Sequence, residues 1–139
     1  MNGELTITLN NDISELDSLH EHLEEFGIIN NLDKNVMFPI NLALDELITN
    51  SISYGFHDDK EHIIQITVSL KNDELVALVE DDGIPFNPLE SPEPDINVPA
   101  EERKIGGLGI HLVRKLTDGI RYARKGNKNY VTIIKKIRR

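Results

Sequence analysis

Apolar residues recur along this chain with two periods, and the switches between them mark its elements. Residues 4–10, ELTITLN, alternate Leu5, Ile7 and Leu9 with polar neighbours, the mark of a half-buried strand. Ile13, Leu16, Leu19, Leu23 and Phe26 then follow at helical spacing. Asn11 or Asp12 is placed to cap that helix, and Gly27 to stop it. A second helix is predicted over about 36–54, with Pro39 either in its first turns or kinking it and Gly55 ending it. Period two returns in 62–70 and in 74–81 around a Lys71-Asn72-Asp73 turn, so these segments form a hairpin.

Neither period survives from Gly83 to Arg103, where Pro85, Pro88, Pro92, Pro94 and Pro99 stand among acidic residues. A structureless loop of about 20 residues inside a domain is usually a functional lid or a disordered segment. Gly106 to Gly109 then open a helix carrying Ile110, Leu112, Val113 and Leu116. GIRYARK and YVTIIKKI close the chain as a hairpin around Gly126-Asn127. There is no repeat and no domain linker. The expected architecture is α+β, a two-layer sandwich of a mixed, mostly antiparallel sheet with helices on one face.

Composition narrows the function classes. The 139 residues favour one domain, and no apolar run approaches the ~18 residues of a membrane span. The N-terminus has neither a basic start nor a long apolar stretch, so no secretory signal is expected. With no cysteine, disulfides, thiolate metal sites and cysteine nucleophiles are excluded, which suits the cytoplasm. Residues 1–100 hold 3 basic and 21 acidic side chains and residues 101–139 hold 12 and 3, a balance of −18 followed by +9. The net −9 disfavours generic nucleic-acid binding, and the two halves are expected to pair with one another. Of the five histidines only His20 and His22 are close enough to suggest a metal pair, and i,i+2 positions diverge on a helix.

Three segments carry candidate chemistry. In ALDELITN, Glu46 and Asn50 fall one turn apart beside the apolar face of Ile40, Ala43, Leu44 and Leu47, so both can meet one ligand. A carboxylate there can orient or deprotonate a hydroxyl, and an amide oxygen is a hard ligand suited to Mg²⁺. In VEDDGIPF, Asp81 ends a strand where it can accept a hydrogen bond from a base amino group, and Gly83 frees the backbone to turn. In KIGGLGIHLVRKL, glycines at a helix start permit backbone N–H groups to approach an anion. Each alone has an ordinary structural explanation: a helix boundary, a turn, a hinge. The dinucleotide pattern GxGxxG and the P-loop pattern GxxxxGK[ST] are both absent.

In this order and context the three segments resemble the GHKL (Bergerat-fold) ATPase superfamily, which includes gyrase-type ATPases and histidine kinases. Glu46 and Asn50 match its N box, Asp81 to Gly83 its D-x-G box, and Gly106 to Gly109 its glycine box. Within that superfamily the chain is similar to the bacterial anti-sigma-factor serine/threonine kinases. LALDELITNSISYGF resembles their N-box helix and GGLGIHLVRKLTD their glycine box; the short lid, and a length without room for a transducer or dimerisation domain, fit the same group. Tyr54 departs from the histidine many relatives carry, and Pro85 from a common glycine.

The resemblance implies a single domain over 1–139 with an ATP lid at about 84–105. It implies Mg-ATP as the bound nucleotide. Asp81 would read the adenine amino group, Gly83 would admit the base, and Asn50 would hold Mg²⁺. Gly106, Gly107, Leu108 and Gly109 would hold phosphates, and Glu46 would be the base or orienting group for a serine hydroxyl. Arg103 and Lys104 are placed to reach phosphate, though a solvated role is the simpler expectation. The implied partners are a sigma factor and a STAS-domain anti-anti-sigma protein, with a homodimer as the assembly and neither nucleic acid nor membrane bound directly. A nucleotide-gated binding module without useful catalysis is the alternative.

Overall fold

Inward-pointing residues on the strands decide where the helices pack. The computed structural model describes residues 3–56, 58, 60–90 and 107–137. Five strands make one sheet: β1 (Glu4–Asn10), β2 (Ile63–Lys71), β3 (Glu74–Asp81), β4 (Gly119–Lys125) and β5 (Lys128–Lys136). Their spatial order is β1-β2-β3-β5-β4, and every described pairing is antiparallel. Ile7 and Leu9 on β1, Ile64, Ile66 and Val68 on β2, Leu75, Ala77 and Val79 on β3, and Ile133 on β5 are buried on one face. Their neighbours at odd spacing are mostly half-buried or exposed, as period two requires.

Among the described residues three helices cover that face: α1 (Leu16–Ile29), α2 (Lys34–Tyr54) and α3 (Gly107–Leu116). The long α2 buries Val36, Ile40, Ala43, Leu44, Leu47 and Ile48, an apolar stripe at three- and four-residue spacing. Asp33 caps it, its carboxylate accepting the Asn35 N–H at 3.1 Å. The helix therefore begins two residues earlier than its apolar period suggests, and it runs through Pro39 without ending. Asp12 caps a 3₁₀ turn over Ile13–Glu15 that leads into α1.

Gly27 does not stop α1. The helix continues to Ile29 and ends at Asn31, whose φ of 54° is left-handed, with the Leu32 N–H returned to the Gly27 carbonyl at 2.8 Å. Gly27 is there for space: a Cβ on it would lie 3.1 Å from Met37 Cγ, so its absence lets α2 close on α1. A second difference lies in the Pro-rich stretch, where Pro88–Glu90 form a 3₁₀ turn. Residues 91–105 of the expected lid, with Arg103 and Lys104, and Gly106 of the glycine box lie outside the described residues.

Because β5 inserts between β3 and β4, the chain must leave β3 at Asp81 and return through α3 and the outer strand β4. The last turns of α2, the end of β3 and the start of β5 thereby meet at one end of the sandwich.

Candidate functional site

Strand alternation drives two polar side chains into the interior at that end. Asp81 follows Leu75, Ala77 and Val79 on the core-facing side of β3, and Asn129 precedes Val131 and Ile133 on the same side of β5. The register pairs Asp81 directly with Asn129. Both are buried, at 8% and 5% exposure, where an apolar residue would ordinarily sit.

Their burial is matched by hydrogen bonds. Asp81 Oδ1 accepts from the Gly83 N–H at 2.9 Å and from Asn129 Nδ2 at 3.0 Å, and Oδ2 accepts from Ser51 Oγ at 3.0 Å. Asn129 Nδ2 also donates to the Ile84 carbonyl at 2.8 Å, while its Oδ1 accepts from the Tyr122 hydroxyl at 2.6 Å. Arg124 donates to the Gly83 carbonyl at 2.7 Å. The D-x-G turn is thus fastened from α2, β4 and β5 together.

Gly83 is required by close approach. A Cβ there would stand 2.5 Å from the Gly55 carbonyl oxygen and 3.1 Å from Asp81 Oδ1. That Gly55 carbonyl accepts the Ile84 N–H at 2.8 Å, so the end of α2 and the start of the Pro-rich segment are held backbone to backbone.

Between these elements lies a cavity of about 180 Å³. Leu47, Val79, Ile84 and Phe86 give it apolar walls, and Asn50, Ser51, Asp81 and Asn129 line it with polar groups. Apolar walls with a few converging polar groups suit a small, largely apolar ligand that carries a few polar atoms. Asn50 Nδ2 is buried there with no hydrogen-bond partner among the described residues. An amide so placed suits a ligand that brings an acceptor, and its oxygen is a hard donor of the kind Mg²⁺ takes.

Outside the cavity a second polar group braces the turn. His62, at the start of β2, places Nε2 2.7 Å from Asp58 and Nδ1 2.9 Å from Asp82, and its ring stacks on Phe56 with centroids 4.4 Å apart. The bond to Asp58, followed by that to Asp82, raises the imidazole's pKa above its usual range against the opposing effect of desolvation. Asp58 is correspondingly held below the usual carboxylate range by the same bond and by the Lys60 N–H.

Of the residues singled out in the sequence, Asn50 and Asp81 meet at the cavity, and Gly83 shapes the turn beside it. Glu46 is half-buried one helical turn before Asn50 and is not among the cavity's lining residues. Gly107, Leu108 and Gly109 form the start of α3, which packs against α2. Ser51, Tyr122, Arg124 and Asn129 were not anticipated. Asn129 was signalled only by the inward phase of Val131 and Ile133, which extends two residues back into what reads as a turn.

A one-sided five-stranded sheet whose central strands end in a polar-floored cleft beneath a long helix defines a Bergerat-type α+β sandwich. The chain belongs to the histidine kinase-like ATPase domain family, whose model matches residues 9–135. It is 30% identical over 98 residues to the anti-sigma F factor of Clostridium kluyveri, covering 70% of this chain and 68% of that protein. It is 23% identical over 111 residues to the serine/threonine-protein kinase BtrW of Bordetella bronchiseptica, covering 80% and 78%. In fold it is similar to the crystal structure of the RsbU and RsbW domains of Rv1364c from Mycobacterium tuberculosis, with a TM-score of 0.70 and 18% identity. That match covers 96% of this chain but only 32% of the other. The α+β sandwich read from the sequence is the fold observed, and no helix among the described residues is long and apolar enough to cross a membrane.

Proposed function

We propose that this chain is an ATP-dependent anti-sigma regulatory factor and serine/threonine protein kinase, acting as one domain over 1–139. The observation that carries the nucleotide part is Asp81, a buried carboxylate pinned in place on the floor of an apolar-walled cavity. It offers only acceptors, so it selects a flat ligand that presents an amino group, as adenine does. The regulatory part rests on likeness to the anti-sigma F factor, and the kinase part on likeness to BtrW.

In this reading Asp81 and Gly83 fix the base, while Leu47 and Val79 exclude water around it. Asn50 holds Mg²⁺, which when bound neutralises charge on the phosphates. The start of α3 at Gly107, Leu108 and Gly109, with Gly106 before it, offers backbone N–H groups and the positive end of a helix to the phosphate chain. Glu46 orients or deprotonates a serine hydroxyl on the partner, and residues of about 84–105 act as the lid. The partners are a sigma factor, held inactive, and a STAS-domain anti-anti-sigma protein whose serine accepts the phosphoryl group. The site of action is the cytoplasm, and the assembly is a homodimer through the open edge of β1 and the adjoining α1.

The test is transfer of labelled γ-phosphate from Mg-ATP to a serine of the cognate STAS protein, with Glu46→Gln compared in parallel. The variant is expected to keep Mg-ADP affinity within about twofold and to lose transfer by about 10²-fold or more, the usual scale for a general base. Equal transfer by Glu46→Gln removes Glu46 from the mechanism. The position of Glu46 outside the cavity lining favours one second reading, a nucleotide-gated binding module. An unmodified partner that nevertheless binds only in the presence of Mg-ATP or Mg-ADP would establish it.

A further inference from the structure

Asn129 does more than fill a buried position. Its amide orientation is fixed by its surroundings, because Nδ2 faces the Asp81 carboxylate at 3.0 Å and the Ile84 carbonyl at 2.8 Å. Its Oδ1 receives the Tyr122 hydroxyl at 2.6 Å and the Phe86 N–H at 3.4 Å. A flipped amide would set its oxygen against a carboxylate and a carbonyl and its NH₂ against the Phe86 N–H, keeping only the Tyr122 contact, whose hydroxyl can turn to accept.

The consequence falls on Asp81. A carboxylate oxygen offers about two lone-pair sites. Oδ1 uses both, for Gly83 and Asn129, and Oδ2 uses one for Ser51. One acceptor site remains, on the only oxygen not fully engaged, and the carboxylate cannot turn about its terminal bond without breaking bonds on both sides. The group is left reading a single donor in a fixed direction.

We propose that Asn129, oriented by Tyr122, is a positioning residue that sets the base selectivity of the nucleotide cleft by locking the Asp81 carboxylate. The inference rests on the nucleotide reading above and adds to it the cross-strand residue that makes Asp81 discriminating. A six-amino purine meets the remaining acceptor with an N–H. A six-oxo purine meets it with a carbonyl oxygen, so two acceptors face one another in a site that cannot adjust. Without Asn129, Oδ1 has an open lone pair, the carboxylate can rotate or take up water, and the penalty on the oxo purine is relieved.

The probes are Mg-ADP and Mg-IDP, whose bases differ in the six-substituent and in the proton that the six-oxo base carries on N1, measured by calorimetry on the whole chain at fixed ionic strength. The wild-type protein is expected to prefer ADP by about 10- to 100-fold, the range for one hydrogen bond to a charged group. Asn129→Leu keeps the branched outline of the side chain with some added volume and removes all its hydrogen bonds. It is expected to weaken Mg-ADP about tenfold or more and Mg-IDP less than about twofold, collapsing the preference. Tyr122→Phe, which deletes only the orienting hydroxyl, is expected to shift the ratio the same way by about threefold. A merely structural role would lower both affinities together and leave their ratio intact, and that result overturns the proposal, as does a ratio unchanged in both variants. If Asn129→Leu does not fold, the ratio in Tyr122→Phe decides. A folded wild-type protein that binds neither nucleotide overturns the nucleotide reading itself, and a wild-type protein that binds ADP and IDP equally overturns only the selectivity claim.

Discussion

Replacing Asn50 by leucine should make the ligand-free protein more stable and abolish its response to nucleotide. Asn50 is 8% exposed, and its amide nitrogen is shut away from solvent without a partner among the described residues. Leaving one such donor unsatisfied costs about 1–3 kcal/mol. Leucine removes that cost and adds apolar surface beside Leu47 and Val79. Its extra bulk carries a packing penalty of up to about 1–3 kcal/mol in a filled core, but the neighbouring cavity of about 180 Å³ gives it somewhere to go. The net expectation is a gain of about 1–2 kcal/mol. At ~2.1 cal/mol/K per residue, unfolding 139 residues carries roughly 0.29 kcal/mol/K, so that gain raises the thermal midpoint by about 3–7 °C.

Nucleotide acts in the opposite sense. At about 100 times its Kd, Mg-ADP should stabilise the wild-type protein by ~2.7 kcal/mol, or roughly 9 °C on the same scale. On the proposed reading Asn50→Leu can neither hold the metal nor accept the ligand's approach, so its midpoint should not move. The assay is thermal unfolding followed by circular dichroism, with and without Mg-ADP, for both proteins. A variant that is less stable than wild type without ligand, or that keeps the ligand shift, would show that the Asn50 amide is a structural group and not a vacant ligand contact.

Gly83→Ala should fail for a different reason, since its Cβ would sit 2.5 Å from a backbone oxygen that cannot swing away. Overpacking together with strain on the Ile84–Gly55 hydrogen bond should cost about 2–4 kcal/mol, a drop in midpoint of roughly 7–14 °C; a drop below about 3 °C would mean that the turn can open to admit the extra methyl group. His62 should make stability depend on pH. Its folded pKa is raised by Asp58 and Asp82, so its contribution is fully present below the unfolded value of about 6.5 and is lost as pH rises through the higher folded value. Urea midpoints for wild type should therefore decline as pH rises above about 6.5 and through the higher folded value, while His62→Gln flattens that slope. The lowered pKa of Asp58 acts in a separate window, its contribution being lost as pH falls below the usual carboxylate range. Parallel pH profiles for the two proteins would exclude the His62 clamp as their source.

Much of the sandwich was legible because its strongest signals are periodic. The alternation of Leu5, Ile7 and Leu9, the hairpin of β2 and β3, and the stripe on α2 each bury a face that only one secondary structure can present. Boundaries were less legible. Gly27 reads as a helix stop, yet its role depends on Met37, which no local rule can supply. The candidate site divides the same way. Asn50, Asp81 and Gly83 stand in segments whose local context announces them. Asn129 and Tyr122 act through cross-strand contacts, and the adjacency of β3 and β5 follows from a crossover through α3 that the linear pattern does not encode.

That crossover also explains why the cleft lies where it does. A strand that alternates faces cannot exempt its last inward position, so Leu75, Ala77 and Val79 carry the phase of β3 directly onto Asp81, and Ile133 and Val131 carry that of β5 onto Asn129. Had the two strands not been neighbours, each buried polar side chain would lack the other's hydrogen bond, at a cost of about 1–3 kcal/mol for a group left unsatisfied. In register they answer one another, and Ser51 and the Gly83 N–H complete the set. Among the buried side-chain atoms of the described residues, what goes unanswered is Asn50 Nδ2, on the cavity side, beside one unused lone pair of Asp81. The same sheet geometry that satisfies the interior therefore concentrates its remaining hydrogen-bonding capacity at a single spot, and a ligand that supplies one donor and one acceptor there gains both from an otherwise finished core.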